Sequence, residues 1–187
     1  TWDDVAKSIS QNQKFKNALQ SRGYFEEIIK NSFTSSDESQ FNKTKVIFNH
    51  VKSKIKWNGN YGYYPEVGVK EAYFKNVGNV ADINLMLTSM LRYAGLEANP
   101  ILISTRSNGV ALYPSRSAFN YVIAGVEVEN QIILLDATNK YSLPGVLPIR
   151  DLNWFGRVIR NNGSSAIVNL TPEKKSIDVV TLMGTIN

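Results

Sequence analysis

The 187-residue chain has no cysteine and a single histidine, His50. The first absence excludes disulfide frameworks, thiolate metal sites and every thiol nucleophile. The second excludes a His-rich zinc site and any mechanism that needs two imidazoles. A Ser–His hydrolase would have only His50 as its base. Long apolar runs are missing as well. None approaches the ~20 residues of a membrane-spanning helix, so no membrane insertion of this segment is expected. The start, Thr1-Trp2-Asp3-Asp4, lacks the basic region and apolar core of a signal peptide. Without an initiator Met, this polar start points to a processed chain or to a piece excised from a longer protein.

What is present is ordinary for a globular domain: 43% hydrophobic and 20% charged residues, in a length that suits one domain. The net charge is +5, from 21 Lys and Arg against 16 Asp and Glu. A basic balance suits nucleic acid, an anionic membrane or an acidic glycan, or simply a solvated surface. The densest run is Lys43, Lys45, Lys52, Lys54 and Lys56. Its spacing scatters these charges around a helix, and neither a groove-reading motif nor an aromatic RNA platform accompanies it. No nucleic-acid partner is expected.

The first ~57 residues read as helical from their apolar spacing. Trp2, Val5 and Ile9 begin a stripe that Phe15 and Leu19 continue imperfectly. Tyr24, Phe25, Ile28 and Ile29 mark a short helix after Gly23. Ser35-Ser36-Asp37-Glu38 has the form of a capping box. The helix it opens carries Phe41, Phe48, Val51 and Ile55, with Ile47 widening the face, and should end near Trp57, which is read as core. Residues 58–68 are a tyrosine-rich loop with Tyr61, Tyr63 and Tyr64 among Gly59, Gly62 and Pro65. A short helix follows over Val69–Phe74.

Asn79 is a reasonable N-cap for the strongest helix in the chain. Ile83, Leu87, Met90, Leu91 and Ala94 recur on one face, and Leu85 and Met86 make the helix apolar on more than one side. It should be buried between other elements and stop at Gly95. Strands are expected at Ile101–Thr105, Phe119–Val128 and Gln131–Asp136. The last two form a hairpin across Glu129-Asn130. A further hairpin pairs Phe155–Arg160 with Ser165–Leu170, residues 139–153 are irregular, and Ile177–Met183 adds a last strand. Helices precede strands, so the class is α+β with an antiparallel sheet. A single domain over 1–187 is expected, helical over about 1–95 and β over about 100–183.

The stretches Gly78-Asn79-Val80-Ala81-Asp82, Met90-Leu91-Arg92-Tyr93-Ala94-Gly95-Leu96, Phe119-Asn120-Tyr121-Val122-Ile123 and Leu134-Leu135-Asp136-Ala137-Thr138 together resemble the core of the transglutaminase-like superfamily, in particular its bacterial members. That family has a papain-like fold. A Cys opens its central helix, a His lies on a strand and an Asp ends the next strand. The arrangement performs nucleophilic acyl transfer. A helix N-terminus favours the thiolate, the His takes the proton and the Asp orients the imidazole. By this resemblance the former triad positions are Val80, Tyr121 and Asp136. An isopropyl group replaces the nucleophile. A phenol, whose ordinary pKa is about 10, replaces the base. The resemblance therefore implies a catalytically inactive domain.

If Glu129-Asn130 is the turn, Ile123 faces Asp136 and Tyr121 faces Thr138, which makes Tyr121 and Asp136 diagonal neighbours on one sheet face. Asp136 then serves either as the hydrogen-bond partner of Tyr121 or as a ligand-binding carboxylate. Asp82 is read as a favourable charge in the first helical turn. His50 is read as a core-rim residue without catalytic role.

Ligand-binding candidates are Tyr61, Tyr63, Tyr64, Tyr121 and Asp136, which would wall the old cleft for a peptide or a carbohydrate. No metal and no cofactor is expected. Flanking domains of the same polypeptide are the expected partners, and the resemblance suggests a periplasmic, secreted or cell-surface protein. Two rivals to a binding module remain. One is an enzyme of different hydrolytic chemistry acting on peptide or amide substrates in the same cleft. The other is a spacer whose cleft is filled by side chains.

Overall fold

A helix with almost no polar face organises the chain. In the computed structural model, which describes residues 1–33, 38–129 and 131–171, that helix spans Val80–Tyr93, and every residue from Val80 to Leu91 is buried. Its apolar side chains point all round the axis, so burial on all sides is the only way to remove them from water. Each fully buried Leu or Met there contributes about 1.5–3 kcal/mol. The few polar residues inside it find partners. Thr88 donates to its own helix at Asn84 O, and Ser89 donates to Leu19 O and Ser21 O.

Among the described residues, five α-helices precede it. In chain order they are α1 (Trp2–Ser10), α2 (Gln13–Gln20), α3 (Glu26–Ser32), α4 (Gln40–Lys54) and α5 (Val69–Lys75), so the buried helix is α6. The imperfect stripe over the first twenty residues is explained by a break: Asn12 caps α2 separately from α1. The expected cap at Ser35 lies outside the described residues. Within them, Ser39 is the N-cap of α4, its hydroxyl accepting the Asn42 N–H at 3.2 Å.

Helix α4 ends at Lys54, earlier than expected. Lys56–Trp57 form a strand, β1, that pairs in parallel with Val77–Gly78, β2. Trp57 is accordingly half-buried rather than core. Gly78 sits where a side chain has no room: an added Cβ would lie 2.7 Å from Asp82 Cβ and 3.0 Å from Ala72 Cβ.

The main sheet is antiparallel with strands β3 (Glu97–Ile103), β4 (Tyr121–Val128), β5 (Gln131–Leu135), β6 (Phe155–Ile159) and β7 (Ser165–Asn169), in the order β5-β4-β3-β6-β7. One face covers α6 through β3 and β4, while α2, α4 and α5 lie on other sides of that helix. Strand β3 starts before Pro100, not after it. The proline is tolerated because β6 pairs only with Ile101 and Leu102, leaving that side of Pro100 without a ladder to serve. Strand β4 begins at Tyr121 rather than Phe119, and β5 stops at Leu135, one residue before Asp136. The registers Val128↔Gln131 and Ala124↔Leu135 follow the expected hairpin. The hairpin of β6 and β7 also forms. The strand expected at 177–183 lies outside the described residues.

Candidate active-site region

The N-terminus of α6 is clamped by the tyrosine-rich loop. Asn79 and Asp82 form a capping box: Asn79 Oδ1 accepts the Asp82 N–H at 2.8 Å, and the Asp82 carboxylate accepts the Asn79 N–H at 3.1 Å. The same fully buried carboxylate also accepts backbone N–H groups of Gly68 at 2.9 Å, Glu66 at 3.3 Å and Val67 at 3.4 Å. Asp82 therefore anchors a loop fourteen to sixteen residues upstream as well as favouring the helix dipole, which is more than its first-turn position implied. Asn79 Nδ2 donates to Tyr64 O at 3.0 Å, so this residue too does more than cap. Val80 is fully buried, and its N–H donates to Asn60 O at 3.3 Å.

Tyr121, at the start of β4, and Asp136, just past the end of β5, are both fully buried. The Tyr121 hydroxyl donates to Asp136 Oδ2 at 3.0 Å. It also lies 2.9 Å from Thr138 Oγ1, the side chain two residues further along the same face. Asn84 reaches the group from α6: its Nδ2 donates to Asp136 Oδ1 at 2.9 Å, and its Oδ1 accepts the Ala137 N–H at 2.9 Å.

A cation enters from a single-turn helix over Ile149–Asp151. Arg150 Nη2 donates to Asp136 Oδ2 at 3.0 Å and to Thr138 Oγ1 at 2.6 Å, while its Nε donates to Tyr121 Oη at 3.3 Å. Beside it, Asp151 is fully buried, with Arg150 Nε 3.8 Å away and no hydrogen-bond partner for either carboxylate oxygen among the described residues.

The electrostatics follow from this burial. Desolvation, and then the neighbouring Asp136 carboxylate, push the Asp151 pKa up to about 9, so it carries a proton at neutral pH. Burial, followed by the negative charge of Asp136, drives the Tyr121 phenol well above its usual value. Tyr121 is thus a hydrogen-bond donor and has no basic form to offer near neutrality.

The loop tyrosines divide between two places. Tyr61 stacks on Trp57, with ring centroids 5.7 Å apart and planes at 4°, and meets Tyr121 edge-on at 5.4 Å. The Arg150 guanidinium lies 4.8 Å from the Trp57 ring centroid, a cation–π arrangement. A bridge between Gly62 and Tyr121 brings the loop backbone onto β4. Tyr63 and Tyr64 turn instead toward Arg116: Tyr63 Oη donates to Arg116 O at 3.2 Å, and Arg116 Nη2 donates to Tyr64 Oη at 2.9 Å.

The five candidates therefore do not wall one cleft. Tyr121 and Asp136 lie inside, Tyr63 and Tyr64 are half-buried against Arg116, and Tyr61, 42% exposed, is the outermost of the five. Two pockets, of 640 and 540 Å3, include none of these five residues, although Trp57 and Thr138, which touch Tyr61 and the Tyr121–Asp136 pair, line the smaller one. His50 is held on α4 by Tyr73 Oη at 3.2 Å from Nε2. Burial, followed by the charge of Lys54, lowers its pKa. Among the described residues, no three or more His, Asp or Glu side chains gather as a metal site would require.

Arg150 and Asp151 were not legible beforehand. They sit in a stretch that has no periodicity, and their partners are distant in sequence. Asn84 did carry a signal: it is an amide between Ile83 and Leu85 in a helix with no polar face.

A buried helix laid on an antiparallel sheet, bonded through Asn84 to the Asp136 that follows β5, fits the papain-like α+β architecture. The family profile of the transglutaminase-like superfamily matches residues 28–132, and the chain belongs to that superfamily. A solved structure of a candidate protease from Parabacteroides distasonis ATCC 8503 shares the fold, with a TM-score of 0.59 and 15% identity over 91% of this chain. The chain spans 32% of that protein's length. A candidate cysteine protease from Cytophaga hutchinsonii is similar over 71% of this chain and 44% of its own, at 11% identity and a TM-score of 0.46. No curated protein matches the chain.

Proposed function

We propose that this chain is a catalytically inactive transglutaminase-like domain that acts as a scaffold or binding module within a larger bacterial extracytoplasmic protein, with flanking domains of the same polypeptide as its partners. The observation that carries this reading is the Tyr121 hydroxyl, buried and hydrogen-bonded to Asp136, where relatives of this fold place an imidazole. At the nucleophile position Val80 is apolar and fully buried. The chain contains no thiol to substitute for one elsewhere. Acyl transfer begins with a nucleophile and a base, and here neither position supplies one.

In this reading the old centre has become a structural junction. Asp136 retains its place but now joins α6 through Asn84, β4 through Tyr121 and the 149–151 turn through Arg150. A cleft filled by Tyr121 and roofed by Tyr61 favours the scaffold form over an open peptide or carbohydrate groove. A different hydrolytic chemistry would have to draw on Asp136 and Asp151. Both are fully buried next to Arg150, which weighs against that alternative.

The test is an assay of purified protein for amide hydrolysis and transamidation on peptide substrates, beside Asp136→Ala. The expected rate is that of buffer for both. Turnover by the wild type that Asp136→Ala abolishes would overturn the proposal.

A further inference from the structure

Of the lysine run expected to scatter around a helix, Lys43, Lys45, Lys52 and Lys54 do lie on α4, but Lys43 and Lys45 stand apart from the other three. Helix α4 ends at Lys54, so Lys56 lies on β1. Across the extended residue Ile55, Lys52, Lys54 and Lys56 line one pocket of 540 Å3, and Lys140 joins them from the segment after β5. Among the described residues no Asp or Glu lines it, and the remaining lining is Ser53, Ile55, Trp57, Asn76 and Thr138. Among the described residues, none of the four lysines forms a salt bridge.

Three of these ammonium groups are braced. Lys52 Nζ lies 4.4 Å from the centroid of the Phe48 ring, Lys54 Nζ 4.9 Å from that of Tyr73 and Lys140 Nζ 4.8 Å from that of Tyr141. Lys52 also donates to Ser142 O.

Two of the lysines complement the C-terminal dipole of α4. That role does not account for Lys56 or Lys140. A concavity lined by four lysines and, among the described residues, by no carboxylate favours an anion over a cation. The volume is that of a small-molecule site.

We propose that this pocket binds a small ligand bearing two or more oxyanion groups, either phosphate-rich or carboxylate-rich. Thr138, part of its lining, ties it to the junction, since its Oγ1 meets both Asp136 and Tyr121. The proposal holds whether or not the domain is catalytically inactive.

Isothermal titration of the full chain with pyrophosphate, and separately with citrate, provides the test. Saturable binding of one or both is expected, weakening as salt is raised, and the tighter of the two identifies the anion source. Lys56→Gln/Lys140→Gln should weaken binding by about tenfold or more, corresponding to the loss of two of the four lining lysines. Lys16→Gln/Lys45→Gln, which removes the same net charge from exposed positions outside the pocket, should change it by less than about twofold. No saturable binding of either probe, or equal weakening in both double variants, would overturn the proposal.

Discussion

Asp151→Asn isolates one proton. Asp151 is fully buried, and its pKa rises from 3.8 to about 9 in the folded chain, through desolvation first and the Asp136 carboxylate second. In the unfolded chain it ionises near 3.8. Between those values the native state holds a proton that the unfolded state has released. Stability contributed by this group is therefore complete below the unfolded pKa and falls as pH rises toward the folded one. The slope for one proton is about 1.4 kcal/mol per pH unit. For a domain of this size that is roughly 3–6 °C in Tm per pH unit. Asparagine is neutral throughout and nearly isosteric with the protonated acid, so the variant lacks this slope.

The quantity to measure is the difference in unfolding free energy between wild type and Asp151→Asn, by thermal and urea denaturation at intervals from pH 5 to pH 8. Other titrating groups cancel in that difference. It should move in favour of the variant by about 4 kcal/mol across the interval. Parallel curves, with a difference constant to within about 1 kcal/mol, would mean that Asp151 is ionised in the native state and that this account of the junction is wrong.

Two further substitutions probe the same architecture. Tyr121→Phe removes the donor to Asp136 and the partner of Thr138 while keeping the ring against Tyr61; it should destabilise by about 1–3 kcal/mol in urea unfolding, and a change near zero would show that the hydroxyl is dispensable. Asp82→Ala strips the acceptor shared by the N–H groups of Asn79, Gly68, Glu66 and Val67. A loss of about 2–4 kcal/mol is expected, with amide exchange at residues 66–68 accelerated by about tenfold; unchanged exchange there would refute the anchoring role.

Some of the site was readable because the information is local. Glu129-Asn130 fixes Val128 opposite Gln131, and the two-residue period of a strand then carries the register along the hairpin toward Tyr121 and the Asp136–Thr138 segment. Asn79, just before the apolar run, marks the N-cap and Asp82 a first-turn charge, whereas the bonds from Asp82 back to Asn79 and to residues 66–68 are not marked there. The apolar sides of α6 announce its burial. Arg150 and Asp151 lie outside any such pattern, since nothing within several residues of them states that the turn will deliver a cation and a proton-bearing acid to Asp136. The boundary of α4 was misread for a related reason. Ile55 continues the apolar spacing, but Asn76 O and Gly78 O accept the N–H groups of Lys56 and Asn58, and this strand pairing ends the helix.

The amino-acid order by itself determined the class, the hairpin registers, the central helix with its cap and the lack of a thiol, because each depends on neighbours a few positions apart. Only the tertiary structure decided that Tyr121 and Asp136 are sealed beneath Arg150, that the loop tyrosines part company, and that four lysines share one pocket. Those outcomes depend on backbone contacts between segments far apart in the chain, which packing brings together and local periodicity does not encode.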